Sequence, residues 1–292
     1  MDRFAQFQKI VRHNAPLAMH TWFQLGGPAQ FFAEPKSEQE LLDLLRCCAD
    51  ESVPVKMLGA GSNLIVSDEG VPGMVIRLTA GCFCDIQTDG LDVVAGGGAK
   101  LGRVITGSTH AGLAGLEGLI GIPGTLGGAI VGNVGSSGGS IGQWITKIRV
   151  ANDRGIVSEL HKADLPFSSE ESILRDVIIL DATLTLENDD PIELAKRLQK
   201  IWIVKKTVYP TGHQNSGFIF RNPRGMLAGE LIERAGLKGT RIGGAVISDR
   251  NANFIVAEPE CTSADILRLI DLVKDQVFDR MQTELELQIE IW

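Results

Sequence analysis

Eleven of the 28 residues from Gly112 to Gly139 are glycine. Glycine loses more backbone entropy on folding than any other residue, so this density is costly unless the backbone turns through positive φ or lies against a large partner. From Gly112 to Gly127 the glycines recur at every third position, as in collagen, but six triplets with one proline are too few for a triple helix. The segment instead predicts an apolar loop system whose main-chain N–H groups open toward a ligand, as in phosphate-binding loops.

Length and charge exclude several classes of protein. The 292 residues are 44% apolar, which is enough for more than one hydrophobic core, and the net charge is −8. An acidic chain without clustered Lys and Arg argues against nucleic-acid binding. The sequence has no run of 18 apolar residues and no apolar signal core at its start, so we expect no membrane span and a cytoplasmic location.

The cysteines and histidines do not predict a metal site. Cys82 and Cys84 could form half of one, but no second cysteine pair or nearby histidine completes a ligand set. The five cysteines are an odd number with two close pairs, which disfavours a disulfide framework.

Hydrophobic periodicity predicts a mixed α+β fold. We expect an N-terminal helix and an approach loop within residues 1–20, a helix over 101–111, and strands over 141–152 and 177–186. A polar linker at 187–191 suggests a domain boundary near residue 190. A long helix is predicted over 263–281, capped by Ser263.

Three phosphate-binding patterns compete for the glycine-rich loops. The segment GAGSN at 59–63 lacks the third glycine and the later acidic residue of a dinucleotide fingerprint, and the chain contains no GxxxxGK[ST]. Two separated loops, 59–63 and 121–128, with Asn133 beyond, could instead clamp a dinucleotide such as FAD along its pyrophosphate. The alternative is that both loops are only tight turns. The predicted cofactor contacts are Gly59, Ala60, Gly61, Ser62, Asn63, Gly121, Ile122, Pro123, Gly124, Thr125, Gly127, Gly128 and Asn133.

These loops resemble the UDP-N-acetylenolpyruvoylglucosamine reductase (MurB) family of peptidoglycan synthesis, in the shorter type II form. The shared blocks run in order along nearly the whole chain: HTWFQLGGPA (20–29), LGAGSNL (58–64), GLAGLE (112–117), GIPGTLGG (121–128), FRNP (220–223), AGELIE (228–233) and NFIV (253–256). The resemblance implies a vanillyl-alcohol-oxidase/PCMH-type FAD-binding fold in two subdomains, 1–80 and 81–188, the first completed by the C-terminal strand. A C-terminal α+β substrate domain follows at 192–292. It also implies that NADPH reduces FAD, which then reduces the enolpyruvyl double bond of a UDP-sugar.

Three positions that carry the family chemistry hold other residues here. The resemblance places a proton-donating serine at Phe218, a carboxylate-binding arginine at Glu170 and a glutamate at Gln288. Phenylalanine has no transferable proton, Glu170 reverses the charge, and glutamine does not shuttle protons at neutral pH.

Three hypotheses follow. Either the chain binds FAD but is impaired or altered in the substrate half-reaction, or it is an active UDP-N-acetylmuramate dehydrogenase with relocated groups. The third, a purely structural interaction protein without cofactor, is disfavoured because the costly glycine loops persist. The relocation candidates are Ser216, Glu286, His213 and Arg175. Arg221 and Asn222 match family positions near the UDP part of the substrate, although Asn222-Pro223 could simply form a turn.

Overall fold

The computed structural model describes residues 3–136, 138–165, 167, 173–210, 215 and 217–292. The chain divides into two compact units, each assembled from three segments. Unit 1 contains residues 1–13, 30–60 and 72–203, and unit 2 contains residues 14–29, 61–71 and 204–292. The division therefore falls inside the first glycine loop, between Ala60 and Gly61, and inside a helix at 203/204.

The elements of the described residues have the following bounds. The helices are α1 (Glu38–Asp50), α2 (Leu101–His110), α3 (Leu126–Val131), α4 (Pro191–Val208), α5 (Ala228–Arg234) and α6 (Ser263–Met281). The strands are β1 (Val11–Pro16), β2 (Pro28–Ala33), β3 (Val55–Met57), β4 (Leu64–Ile65), β5 (Val71–Ile76), β6 (Ile86–Asp89), β7 (Asp92–Gly96), β8 (Leu113–Ala114), β9 (Gly135–Ser136), β10 (Gly139–Ser140), β11 (Ile145–Ala151), β12 (Val157–His161), β13 (Ile178–Thr185), β14 (Glu187–Asn188), β15 (Arg241–Ile242), β16 (Ala245–Ile247), β17 (Ile255–Ala257) and β18 (Glu290–Ile291). Mixed helix and strand confirm the predicted α+β class.

An antiparallel sheet in the order β12-β11-β13-β7-β6 organises the larger part of unit 1. Its central strand β13 is buried along most of its length, on both faces, and Val93, Ile148 and Ala182 are fully buried. Leu101, Ile105 and Ile130 from α2 and α3 belong to the same hydrophobic cluster. The second glycine loop therefore leads into a helix, α3, whose side chains are packed in the core of this sheet.

The N-terminal segment corrects one prediction. We expected a helix and an approach loop within residues 1–20, but residues 11–16 form strand β1, in a sheet of order β1-β2-β5-β3, and among the described residues the helical structure of this segment is two short 3₁₀ turns at Ala5–Phe7 and Ala18–His20. Phe4, Phe7, Ile10 and Val11 are all buried, at a spacing that imitates a helical face. Pairing with β2 decides the outcome, because tertiary contacts override local pattern in so short a segment.

Helix α6 is the longest element of unit 2, and its start corrects a second prediction. The N-cap is Thr262 rather than Ser263: Thr262 Oγ1 accepts from Asp265 N at 3.1 Å, and Asp265 Oδ2 accepts from Thr262 N at 3.1 Å. Asp68 adds two bonds, accepting from Ser263 N and Ala264 N at 3.0 and 3.1 Å. The helix packs on the antiparallel sheet β15-β16-β17, and its side chains Ile266, Leu269, Val273 and Val277 are buried in the same cluster as those of α5.

The C-terminal strand β18 pairs in parallel with β4, next to the first glycine loop. Ser67 N donates to Trp292 O at 2.7 Å and extends this pairing. Among the described residues, no helix is both long and apolar enough to cross a bilayer.

Candidate cofactor and substrate sites

Gly59 brings the two glycine loops into contact within unit 1. Strand β3 ends at Met57, Leu58 N donates to Ile76 O at 2.8 Å, and Gly59 then lies against Thr125. A Cβ on Gly59 would stand 2.8 Å from Thr125 Oγ1, so the close approach leaves no room for a side chain. The two loops are about 60 residues apart in sequence and are in contact at Gly59 and Thr125. Both residues are among the predicted cofactor contacts.

The second loop leads into the N-terminus of α3. Gly121 and Gly124 have φ of +83° and +147°, values that a side chain at Cβ would strain. Thr125 caps the helix, because its Oγ1 accepts from Gly128 N at 3.3 Å. Gly127 N donates to Gly97 O and Leu126 N to Ala99 O, both at 2.8 Å, which leaves less of this helix end open to a ligand than the sequence suggested.

Open amides remain elsewhere in both loops. Within the described residues of unit 1, the main-chain N–H groups of Gly59, Ala60, Gly121 and Gly124 have no protein acceptor. Such amides fit phosphate oxygens, since they donate hydrogen bonds without a competing protein partner. The donor set therefore suits a dinucleotide, and a basic side chain also contacts the first loop, because Arg77 Nε donates to Gly59 O at 3.4 Å.

Asn133 serves the protein backbone. It adopts a φ of +41°, its Oδ1 accepts from Gly142 N at 3.1 Å, and its Nδ2 donates to Phe167 O at 3.3 Å. These bonds hold the segment after α3 in place, so any role of Asn133 toward a cofactor acts through the position of this segment.

An ion pair between buried Glu117 and half-exposed Arg197, which the sequence analysis missed, fixes the start of the glycine run. Glu117 is buried, and its carboxylate accepts from Gly115 N at 2.5 Å and from Arg197 Nη1 at 2.9 Å. Arg197 also donates to Asp189 at 2.8 Å, and hydrogen bonds from Asp190 N and Arg197 lower the pKa of the Asp189 carboxyl. The sequence signal for this ion pair was a charged residue, Glu117, inside an otherwise apolar glycine run. Its partner Arg197 lies 80 residues further along the chain, where the sequence gives no sign of the pairing.

The rest of the first loop belongs to unit 2 and lies against the substrate-domain motifs. Gly61 has a φ of +66°, and a Cβ there would stand 2.2 Å from His20 O. Ser62 O accepts from Gly217 N at 3.1 Å, and Asn63 Nδ2 donates to Gln288 O at 3.1 Å. Among the described residues, the N–H groups of Gly61 and Asn63 also lack a protein acceptor.

Two of the three substituted positions lie on paired segments. Phe220 and Leu287 form an antiparallel bridge, and Gln288 N donates to Ile219 O at 2.8 Å. Phe218 and Gln288 are thus close along the pairing, and both flank the loop at 61–63. The third position, Glu170, lies outside the described residues.

Phe218 lies in an aromatic cluster, with its ring centroid 5.0 Å from that of Phe254 and 5.8 Å from that of Tyr209. Phe254 is buried, Tyr209 is half-buried, and Phe218 remains 40% exposed. Burial raises the pKa of the Tyr209 phenol. The position that the family resemblance gives to a proton donor is therefore occupied by a partly exposed hydrocarbon ring.

The structure adds little support for the residues that could replace the missing catalytic groups. Ser216 and His213 lie outside the described residues, as does the side chain of Arg175. The Glu286 carboxylate is exposed and lies 4.0 Å from Arg221 Nη1 as a loose ion pair. Asn222 Oδ1 accepts from Ala228 N at 3.0 Å, so this side chain helps to start α5, in line with the structural alternative for that motif.

Comparison with known proteins decides the family. Residues 209–292 match the model of the UDP-N-acetylenolpyruvoylglucosamine reductase C-terminal domain, and residues 29–161 match an FAD binding domain. The chain is 38% identical over 284 residues to UDP-N-acetylenolpyruvoylglucosamine reductase 2 of Symbiobacterium thermophilum, covering 97% of this chain and 92% of the relative. The chain belongs to the UDP-N-acetylenolpyruvoylglucosamine reductase family.

Solved structures agree with membership of the reductase family. The crystal structure of the Thermus caldophilus reductase (MurB) superposes with a TM-score of 0.82 at 33% identity, covering 97% of this chain and 99% of that one. Phl p 4.0202, a glucose dehydrogenase, superposes with a TM-score of 0.50 at 13% identity over 63% of this chain and 42% of its own, which shows a shared fold alone. The predicted family and FAD-binding fold are confirmed, and the chain carries an FAD-binding domain.

Proposed function

We propose that this reductase-family chain binds FAD but is impaired or altered in the half-reaction that reduces UDP-N-acetylglucosamine enolpyruvate. The observation that carries the proposal is Phe218, an exposed hydrocarbon ring at the position of the family's proton donor. When bound, FAD supplies the redox chemistry that connects NADPH to a substrate. In unit 1, the residues of the glycine loops that would hold it through their open amides are Gly59, Ala60, Gly121 and Gly124.

Loss of the proton donor matters because the family product gains a proton on carbon. Carbon accepts protons slowly unless an acid is positioned beside it, and such an acid typically contributes about 10²- to 10⁴-fold in rate. The Phe218 ring offers no proton. The Gln288 amide is too weak an acid to donate one, and its main chain is fixed by bonds to Ile219 O and Asn63 Nδ2.

The sequence at Glu170 adds an electrostatic argument. An arginine there would attract the substrate carboxylate by roughly 4 kcal/mol at 4 Å with an effective dielectric near 20, and a glutamate would repel it by a similar amount. Three substitutions in one half-reaction are harder to reconcile with retained activity than any single one. Reduction by NADPH does not require these three side chains, so we propose that this half-reaction persists.

A second candidate function rests on Tyr209, the only tyrosine of the chain. Its ring meets the Phe218 ring edge to face at 5.8 Å, which brings a phenol close to the position of the missing donor. A phenol is a stronger acid than a serine hydroxyl even with its pKa raised by burial. Tyr209 could therefore protonate the substrate carbon in an active reductase with relocated groups.

Anaerobic stopped-flow separates the two candidates. Protein reduced with NADPH is mixed with UDP-N-acetylglucosamine enolpyruvate, and flavin reoxidation and UDP-N-acetylmuramate are followed together. We expect reoxidation at least a hundredfold slower than enzymatic turnover, and a gain of tenfold or more in the triple variant Phe218→Ser, Glu170→Arg, Gln288→Glu.

Fast product formation by the natural sequence would overturn the proposal. Tyr209→Phe would then identify the donor, because this variant keeps the ring and removes only the hydroxyl. A colourless protein that takes up no FAD would contradict both candidates.

A further inference from the structure

The aromatic cluster of Tyr209, Phe218 and Phe254 is exposed to solvent at Phe218. Each ring centroid lies within 5.0 to 5.8 Å of the other two, and the rings meet at angles between 40° and 88°. Such tilted and edge-to-face contacts are favourable and hold the rings in fixed orientations. Phe254 supports the cluster from within, while Phe218 keeps 40% of its surface exposed.

This surface adjoins the first cofactor loop within unit 2. Gly217, the residue before Phe218, donates its N–H to Ser62 O at 3.1 Å. The next loop residue, Asn63, is bonded to Gln288 O at 3.1 Å. A molecule lying on the Phe218 ring would therefore be adjacent to the loop that we expect to contact FAD.

The chemistry of the cluster selects among electron acceptors. An acceptor that must be protonated on carbon needs a positioned acid, which the Phe218 ring cannot be. A quinone is protonated on oxygen, which exchanges protons with water rapidly and needs no such acid. Its flat ring also matches an exposed aromatic face, because aromatic pairs stack or meet edge to face.

The charged groups near the cluster do not require an anionic acceptor. Arg221, the nearby cation in the FRNP motif, faces the Glu286 carboxylate at 4.0 Å, so the pair offers little net attraction to an anion. A second cation, Arg250, is exposed to water and donates from Nη1 to the main-chain oxygen of Tyr209 at 3.5 Å.

We propose that the exposed Phe218 ring binds a neutral, planar quinone, and that the FAD-loaded protein reduces this quinone with NADPH. In the overall reaction NADPH gives up a hydride and one further proton comes from water, so both quinone C=O groups become C–OH and NADPH becomes NADP⁺. The inference rests on the proposed function, since it describes what an altered acceptor half-reaction would accept.

The first test measures binding without turnover. Saturation-transfer difference NMR with menadione on the oxidised holoprotein, without NADPH, reports its contact with the protein. Phe218→Leu should weaken menadione binding about three- to tenfold, because it removes the ring but keeps an apolar side chain. Phe218→Tyr and Tyr209→Phe, which keep all three rings, should bind as the natural sequence does.

The matched control is Phe278→Leu, a ring of similar exposure on α6 that belongs to no described aromatic contact. It should leave menadione binding unchanged. Equal losses at both positions, or no loss at Phe218, would overturn the proposal, and thermal melting of each variant confirms that it is folded.

The second test measures anaerobic NADPH oxidation with menadione. The holoprotein should exceed an equal concentration of free FAD by at least tenfold, with kcat/KM lowered in Phe218→Leu by the same factor as binding. A rate equal to that of free FAD would refute quinone reduction. That result would leave the proposed function standing, whereas fast turnover of the UDP-sugar enolpyruvate would refute the proposed function alone.

Discussion

At the scale of single residues, Gly61 shows why glycine is required in the cofactor loops. Its φ is +66°, and a Cβ would stand 2.2 Å from His20 O, a main-chain atom that cannot rotate away. Gly61→Ala should therefore lower the free energy of unfolding by about 2–4 kcal/mol, combining left-handed strain with overpacking. Urea denaturation measures the loss.

Two other glycines serve as matched controls for Gly61. Gly90 has a φ of +58° but no atom within 4 Å of its Cβ position, so Gly90→Ala should lose only about 1–2 kcal/mol. Gly102 lies inside α2 in open space, and Gly102→Ala should gain about 0.5–1 kcal/mol. Equal losses at Gly61 and Gly90 would mean that the contact with His20 O is absent.

The contact of Gly59 with Thr125 gives a pairwise prediction. Gly59→Ala places a methyl group 2.8 Å from Thr125 Oγ1, and Thr125→Ala removes that oxygen at the cost of a helix cap. The double variant should lose less stability than the sum of the single ones, by about 0.5–3 kcal/mol. Strict additivity in urea denaturation would show that the two loops do not touch in solution.

At the scale of secondary-structure elements, the start of α6 distinguishes two adjacent hydroxyl residues. Thr262 caps the helix, whereas Ser263 is fully buried and its Oγ has no hydrogen-bond partner among the described residues. Thr262→Ala should cost about 1 kcal/mol. Ser263→Ala should be neutral or stabilising, because it removes an unsatisfied buried hydroxyl. If Ser263→Ala lowered the unfolding midpoint more than Thr262→Ala did, Ser263 would be the cap.

Asp265 gives the same helix start a pH dependence. Hydrogen bonds from the main chain of Thr262, then of Gly244, together with Arg268, lower the pKa of its carboxyl in the folded state. A lowered folded pKa stabilises the protein above the unfolded pKa of about 3.9, and the contribution is lost as pH falls through the folded value. Asp265→Asn should therefore destabilise the protein at pH 7, and this cost should shrink as the pH falls through the folded pKa. A cost that is independent of pH would contradict this assignment.

At the scale of the whole molecule, the sequence predicted the family, the α+β class and the glycine loops, because these depend on local spacing and on blocks that recur in order. It failed at β1, where pairing with β2 overrides a helical spacing. Nor did it predict the Glu117–Arg197 pair or the division of the chain inside the first loop, because both depend on segments far apart in sequence. Long-range contacts leave little trace in local pattern.

One prediction for the whole molecule tests cofactor binding independently of catalysis. A ligand that binds only the folded state stabilises it by RT ln(1 + [L]/Kd), about 2.7 kcal/mol at a concentration of 100 Kd. FAD added to protein stripped of flavin should therefore raise the melting temperature, and the shift should grow with FAD concentration. Gly124→Val places a branched side chain at a φ of +147°, beside an open amide, and should reduce the shift. Gly102→Ala should keep the full shift. Identical shifts in both variants would exclude the second glycine loop from the cofactor site, whatever the protein does with its substrate.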